Sequence, residues 1–250
     1  MSTPIIRRLP DPESVSQAAA EEFVRLAAEC ISARGKFTVA LAGGSTPKRM
    51  YQLLGSAGYK ERVNWGRVEF FWGDERCVPS THPDSNFRMA NEAFLQSLPI
   101  CSSQIHRMQA EREDRDQAAE DYQAEIARVF GVYSNGQPPA FDLILVGMGG
   151  DGHTLSLFPH TAALSESTRW VVANRVEKLQ TFRLTFTVPM LNRASNVLFC
   201  VAGADKAIPL VEVLEGPADG NRLPSQRSLA GQGVLTWLVD EAAARELKAK

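Results

Sequence analysis

Asp151 and His153 stand two residues apart in GMGGDGHTLSLFP (residues 147–159), directly after the apolar run DLILV at 142–146. An imidazole titrates near neutral pH, so His153 can take a proton from water. A carboxylate two residues away can orient the ring or stabilise its cation. The backbone N–H groups of Gly149 and Gly150 can face a developing oxyanion. Taken alone, such a loop reads as well as a capping aspartate beside a turn histidine. Gly147, Gly149 and Gly152 also satisfy G-x-G-x-x-G. Pro159 follows too soon for the long helix of a dinucleotide site, and no acidic strand end sits at the expected distance.

Anion binding is written elsewhere in the chain. In GGSTP (residues 43–47) the glycines allow close backbone approach. The helix start that follows offers free amides at Gly44, Ser45 and Thr46, and two hydroxyls. An ordinary strand-to-helix turn, with Ser45 or Thr46 as cap and Pro47 in the first turn, accounts for the same residues. GDER supplies Asp74, Glu75 and Arg76, and an arginine fork grips phosphate or carboxylate at two points. Lys206 follows a further strand end, and Arg183 sits beside alternating apolar residues of a strand. Each of these charged residues also reads as a solvated surface group.

Other chemistries lack their residues. There is no G-x-S-x-G, H-E-x-x-H or G-x-x-x-x-G-K-[ST]. His82, His106 and His160 have no metal-ligand spacing with the cysteines and read as surface or loop residues. Cys30, Cys77, Cys101 and Cys200 are scattered, which suits reduced thiols filling a core. A net charge of −2 gives no general field for nucleic acid. No signal-peptide pattern and no apolar run of membrane-spanning length is present, so the expected setting is cytoplasmic.

These residues need elements to hold them. Residues 11–35 predict a helix capped by Asp11, opened by Pro12 and closed by Gly35. FTVALAGG predicts a buried strand ending in glycines, and STPKRMYQLLG the helix after it. VEFFWGDER reads as a second strand running into a charged loop, and DLILVGMGG as a third strand. SNFRMANEAFLQSL and DRDQAAEDYQAEIARVFG read as helices. RWVVANRV and FRLTFTVPML follow, then NVLFCVAGADKAIPLVEVLEG as a strand feeding a helix. GVLTWLVDEAAARELKAK closes the chain with a strand and a helix reaching Lys250. Residues 135–140 and 216–228 read as loops, neither long enough to divide the chain, so residues 1–250 are expected to form a single domain. Buried strands alternating with helices imply an α/β fold with a mostly parallel sheet covered on both faces. In such sheets ligands bind beyond the carboxyl ends of the strands. Residues 43–47, 73–76, 147–153 and 203–206 all fall at such ends.

Taken together, LAGGSTPKRMYQLL, FFWGDERCVPSTHPDSNFRMANEAFL, DLILVGMGGDGHTLSLFP and FRLTFTVPMLNRASNVLFCVAGADKA resemble the 6-phosphogluconolactonases over nearly the whole chain. The resemblance implies the fold of the sugar-phosphate isomerases and deaminases. It implies hydrolysis of 6-phospho-D-glucono-1,5-lactone in the oxidative pentose phosphate pathway, without metal or organic cofactor. The expected ligand is a small sugar-phosphate lactone and the expected state a monomer or weak homo-oligomer. By the same resemblance His153 is the general base and Asp151 its partner. The amides of Gly44, Ser45 and Thr46, with Lys206 and Arg183, hold the phosphate. Arg76 anchors the phosphate or polarises the sugar, Asp74 is a polar contact, and Gly149 and Gly150 face the oxyanion. Glucosamine-6-phosphate deaminases resemble DEY where this chain has Asp74-Glu75-Arg76, and AFNEP where it has LSLFP. Their glutamate position is Phe158 here. A deaminase-like isomerase and a sugar-phosphate sensor without turnover are the alternatives. Leu155 departs from the alanine usual in HTASLFP, and residues 222–237 match only loosely.

Overall fold

Alternate side chains of the buried strands feed two different cores, and that division fixes where the strand tips meet. The computed structural model describes residues 3–248. The first half of the chain forms β1 (Ile5–Leu9), α1 (Pro12–Arg34), β2 (Phe37–Leu41), α2 (Ser45–Leu54), α3 (Ala57–Lys60), β3 (Val68–Trp72), β4 (Asp74–Arg76), α4 (Asn86–Ala93) and α5 (Arg115–Phe130). The second half forms β5 (Leu143–Val146), β6 (Val171–Val176), β7 (Thr181–Phe186), α6 (Val188–Arg193), β8 (Asn196–Val201), α7 (Ala207–Glu215), β9 (Val234–Asp240) and α8 (Glu241–Ala244).

Six strands make one parallel sheet in the order β1-β9-β8-β5-β2-β3. Val39, Leu41, Phe70, Trp72 and Leu145 point to one face, against Phe23 and Leu26 of α1 and Met50 and Leu54 of α2. Ile144, Val146, Phe199 and Trp237 point to the other, against α5, α6 and α7. There Phe199 and Trp237 stack with centroids 3.7 Å apart. Helices thus cover both faces, as the buried strands predict. α1 begins and ends as expected: Asp11 accepts the Ser14 N–H at 2.7 Å, and Gly35 closes it at φ 76°.

Three features depart from the sequence reading. Residues 74–76 form a strand, not a loop: β4, β7 and β6 make a separate antiparallel sheet, whose Leu184, Phe186 and Val172 pack on the second core. Three residues are too few to show a period, so the charged side chains masked the strand. β1 was not foreseen, because Ile5 is exposed and IIRRL has no alternation. The closing helix is short, Glu241–Ala244, and residues 249 and 250, to which it was expected to run, lie outside the described residues, as do 1 and 2.

Two side-chain expectations also change. His106 is buried, not a surface residue. Its ring stacks on Phe71 at 4.4 Å, and its nitrogens meet Glu125 at 2.7 Å and Glu69 at 2.9 Å. Of the cysteines, Cys30 and Cys200 are core, but Cys101 is exposed. Among the described residues no helix is long and apolar enough to cross a membrane.

β2 leads outward to β3, whereas β5 leads the opposite way to β8 and β9. β2 and β5 are neighbours, so the chain reverses direction between them. A crevice opens at such a switch point, beyond the carboxyl ends of the strands.

Candidate active site

The crevice holds a pocket of about 260 Å³ lined by residues from all four expected strand ends. Gly44, Ser45 and Thr46 come from the tip of β2, Asp74 and Arg76 from β4, Gly149 and His153 from the tip of β5, and Lys206 from the turn after β8. A second chamber of about 440 Å³ adjoins it and shares Asp74, Arg76, His153 and Leu155. Gly150, Asp151, Lys178 and Arg183 line its far side.

At the first wall, α2 starts without a side-chain cap. The cap position is Gly44, at φ 106°, and not Ser45 or Thr46 as expected. The first helical bond runs from the Lys48 N–H to Gly44 O at 3.0 Å. The amides ahead of it are outside the helical ladder, and the helix dipole makes them a seat for an anion. Gly43 must be glycine because a Cβ there would fall 2.0 Å from Asn86 Oδ1. Lys206 reaches the pocket from a short 3-10 turn, Ala204–Lys206, and pairs with Asp205 at 2.9 Å.

β4 explains why GDER splits its charges. Side chains alternate along a strand, so Asp74 and Arg76 line the pocket while Glu75 points away. Glu75 is buried beneath the start of α4, accepting the amides of Arg76, Asn86 and Phe87, each at 2.8 Å. Burial raises its pKa and those amides oppose the shift. Asp74 accepts the Ser156 hydroxyl at 2.6 Å, and the Asn86 amide bridges its carbonyl and carboxylate. Arg76 lies opposite Arg183 in the β4–β7 ladder. Burial, and then Arg76, hold Arg183 below its ordinary value. Arg183 is thus in the adjoining chamber with Arg76, rather than beside the glycine turn.

In the third wall, His153 Nδ1 meets Asp151 Oδ1 at 2.5 Å. A carboxylate accepts from Nδ1–H, so Nε2 keeps the lone pair that can take a proton. Phe158 stacks on the ring at 4.1 Å and 25°. Burial pulls the His153 pKa down to about 4; Lys206, Arg183 and Arg76 push the same way and Asp74 opposes. The imidazole is therefore neutral at pH 7, with Nε2 unprotonated.

Gly149 is not an oxyanion donor as expected: its N–H is spent on His153 O at 2.9 Å. Its need for glycine is steric, since a Cβ would lie 2.1 Å from the imidazole Nδ1 and Cε1. Gly150 is open, with nothing within 4 Å of a Cβ. Leu155, at φ 53°, packs its side chain against Gly73, where a Cβ would come within 2.6 Å of it. The loosely matching stretch supports the loop from below: Ser225 N–H bonds Gly152 O at 2.9 Å, and Leu223 packs on Gly152.

Sequence reading missed Asn86, Ser156 and Lys178. The first two fix Asp74, and Lys178 forms an ion pair with Asp151. None belongs to a local charge or glycine pattern, so no signal marked them. Among the described residues no group of three or more metal-ligating side chains converges.

Known proteins resemble this chain in sequence and in overall shape. A 6-phosphogluconolactonase of Synechocystis sp. is 44% identical over 220 residues, 88% of each chain. The solved 6-phosphogluconolactonase from Trypanosoma cruzi superposes with a TM-score of 0.87 at 27% identity, covering 100% of this chain and 99% of that one. A monomeric glucosamine-6-phosphate deaminase of the NagB superfamily shares the fold, with a TM-score of 0.79 at 21% identity over 97% of this chain and 99% of that one. Residues 10–237 match the family described as glucosamine-6-phosphate isomerases/6-phosphogluconolactonase, and the chain belongs to that family.

Proposed function

We propose that this chain hydrolyses 6-phospho-D-glucono-1,5-lactone to 6-phospho-D-gluconate in the oxidative pentose phosphate pathway, as a carboxylic ester hydrolase. The observation that carries this is the placement of a neutral, carboxylate-oriented imidazole in the same pocket as the open amides of α2. One end of that pocket suits a phosphate and the other a base.

The amides of Gly44, Ser45 and Thr46 take the phosphate, with Lys206 and Arg76 supplying charge and Arg183 adding field from the neighbouring chamber. His153 Nε2 removes a proton from water as the oxygen attacks the lactone carbonyl. The oxyanion that forms is met by the Gly150 amide and the nearby arginines. The imidazolium then returns the proton to the ring oxygen as the ester C–O bond breaks. Asp151 holds the ring tautomer throughout, and Asp74 contacts the sugar. A lactone is already activated, so positioning plus one general base suffices without covalent intermediate, metal or organic cofactor.

We read residues 1–250 as one lactonase-like domain, since strands from both ends of the chain, β1 and β9, pair in one sheet. The same reading makes it a cytoplasmic enzyme, a monomer or weak homo-oligomer, acting on a free sugar phosphate. Deaminase chemistry is disfavoured because, by the resemblance, Phe158 stands at the position of the deaminases' glutamate. A sensor needs the phosphate cradle but not the oriented imidazole. The deciding experiment is lactone hydrolysis followed by acid release, with the spontaneous rate subtracted and ammonia release measured in parallel. Acid release above background supports the reading; ammonia from glucosamine 6-phosphate, or no turnover, refutes it.

A further inference from the structure

The hairpin between β6 and β7 brings a cation to the catalytic pair from outside every motif. Its tip is the short turn Glu177–Leu179, followed by Gln180 at φ 48°. From that tip the Lys178 ammonium pairs with Asp151 Oδ2, while Asp151 Oδ1 takes His153 Nδ1. The same ammonium stands 5.0 Å from the centre of the Phe158 ring, which itself stacks on His153. Lys178 therefore touches both groups that hold the imidazole.

We propose that Lys178 is a positioning residue for His153, acting through Asp151. The proposal rests on the reading of His153 as the base in lactone hydrolysis. An aspartate with two free oxygens can rotate and present either to the ring. Lys178 engages one oxygen and leaves the other aimed at Nδ1. It also offsets the carboxylate charge, which otherwise raises the pH at which the ring takes a proton. The other charges facing the ring are Asp74 and Arg76 from β4, Arg183 from β7 and Lys206 from the turn after β8. Unlike those cations, Lys178 is paired with Asp151. Its side chain is 52% exposed, so the pair adds little to folding; its effect falls on titration and ring orientation.

The test compares wild type, Lys178→Met and Lys178→Arg in the full chain. kcat/KM for the lactone is followed against pH, and the His153 ring resonances are titrated by NMR. The proposal expects the acid limb and the ring titration of Lys178→Met to move up together by about one pH unit. Neutral-pH kcat should drop several-fold while Tm stays near wild type, and Lys178→Arg should restore the wild-type profile. Coincident titrations for wild type and Lys178→Met would overturn it, as would an equal shift in Lys178→Arg. The NMR titration needs no turnover. Absence of lactone hydrolysis in the wild type would thus refute the parent reading alone, and this inference would still be judged by the ring titration.

Discussion

The ring of Phe158 lies 4.1 Å from the imidazole of His153 and nearly parallel to it. Only four residues separate the two in sequence, and the loop that joins them folds back so that an apolar ring covers the base. Two consequences follow for the chemistry. Water is kept from one face of the imidazole, which raises the cost of the imidazolium. No carboxylate can occupy that face, so a second proton carrier is excluded there.

The pH profile should show this cover. A histidine at its ordinary value would give an acid limb in kcat/KM near pH 6.5; here the limb is expected near pH 4, with activity flat from weakly acid to neutral pH. Stability moves in the same direction. The folded pKa lies below the unfolded one, so the unfolded chain binds the proton more readily between those values. Stability is therefore lost as pH falls from about 6.5 toward 4. Chemical denaturation across that window should show the slope, and His153→Gln should remove this residue's share of it.

His153→Ala should cost about 10²–10⁴-fold in kcat, the usual contribution of one general base. Binding of 6-phosphogluconate, held at its phosphate end, should survive within a few-fold in a calorimetric titration. A variant with near-full kcat would remove His153 from the base role.

Gly149→Ala and Gly150→Ala separate sterics from donation. The first places a methyl group into the imidazole and the Asp151 carboxylate, and should lower kcat at least about a hundredfold while circular dichroism stays native. The second meets open space and keeps its N–H, so kcat should change less than about threefold. Equal losses in the two variants would contradict the reading of the loop.

Lys206→Ala should act on binding more than on turnover. Loss of a charged contact to phosphate is worth about 1.5–3 kcal/mol, a rise in KM of roughly ten- to a hundredfold. Steady-state kinetics with kcat held within a few-fold would confirm it, and an unchanged KM would place the phosphate elsewhere.

Much of this site was legible in the chain because its pieces are local. A buried strand ending in glycine announces a strand tip, and each of the four tips carried its chemistry within a few residues. The D-G-H pair needed only two residues of backbone to meet. What escaped depends on distance. Asn86 reaches Asp74 from a helix start, Ser156 reaches it across 82 residues, and Lys178 reaches Asp151 from a hairpin of the second sheet. The role of Gly149 was misread for the opposite reason: a glycine beside a histidine serves amide donation and close packing equally well in sequence, and only the bond to His153 O separates them.

The three residues of β4 face alternately, with two acting in the crevice and the buried glutamate between them securing a helix. Inserting or deleting one residue at Gly73 would invert that order, turning Glu75 toward the substrate and stripping α4 of its anchor in one event. The spacing between the two sheets is consequently a quantity that drift in residue identity leaves alone, and length change at this junction is the lesion from which the enzyme has no partial retreat.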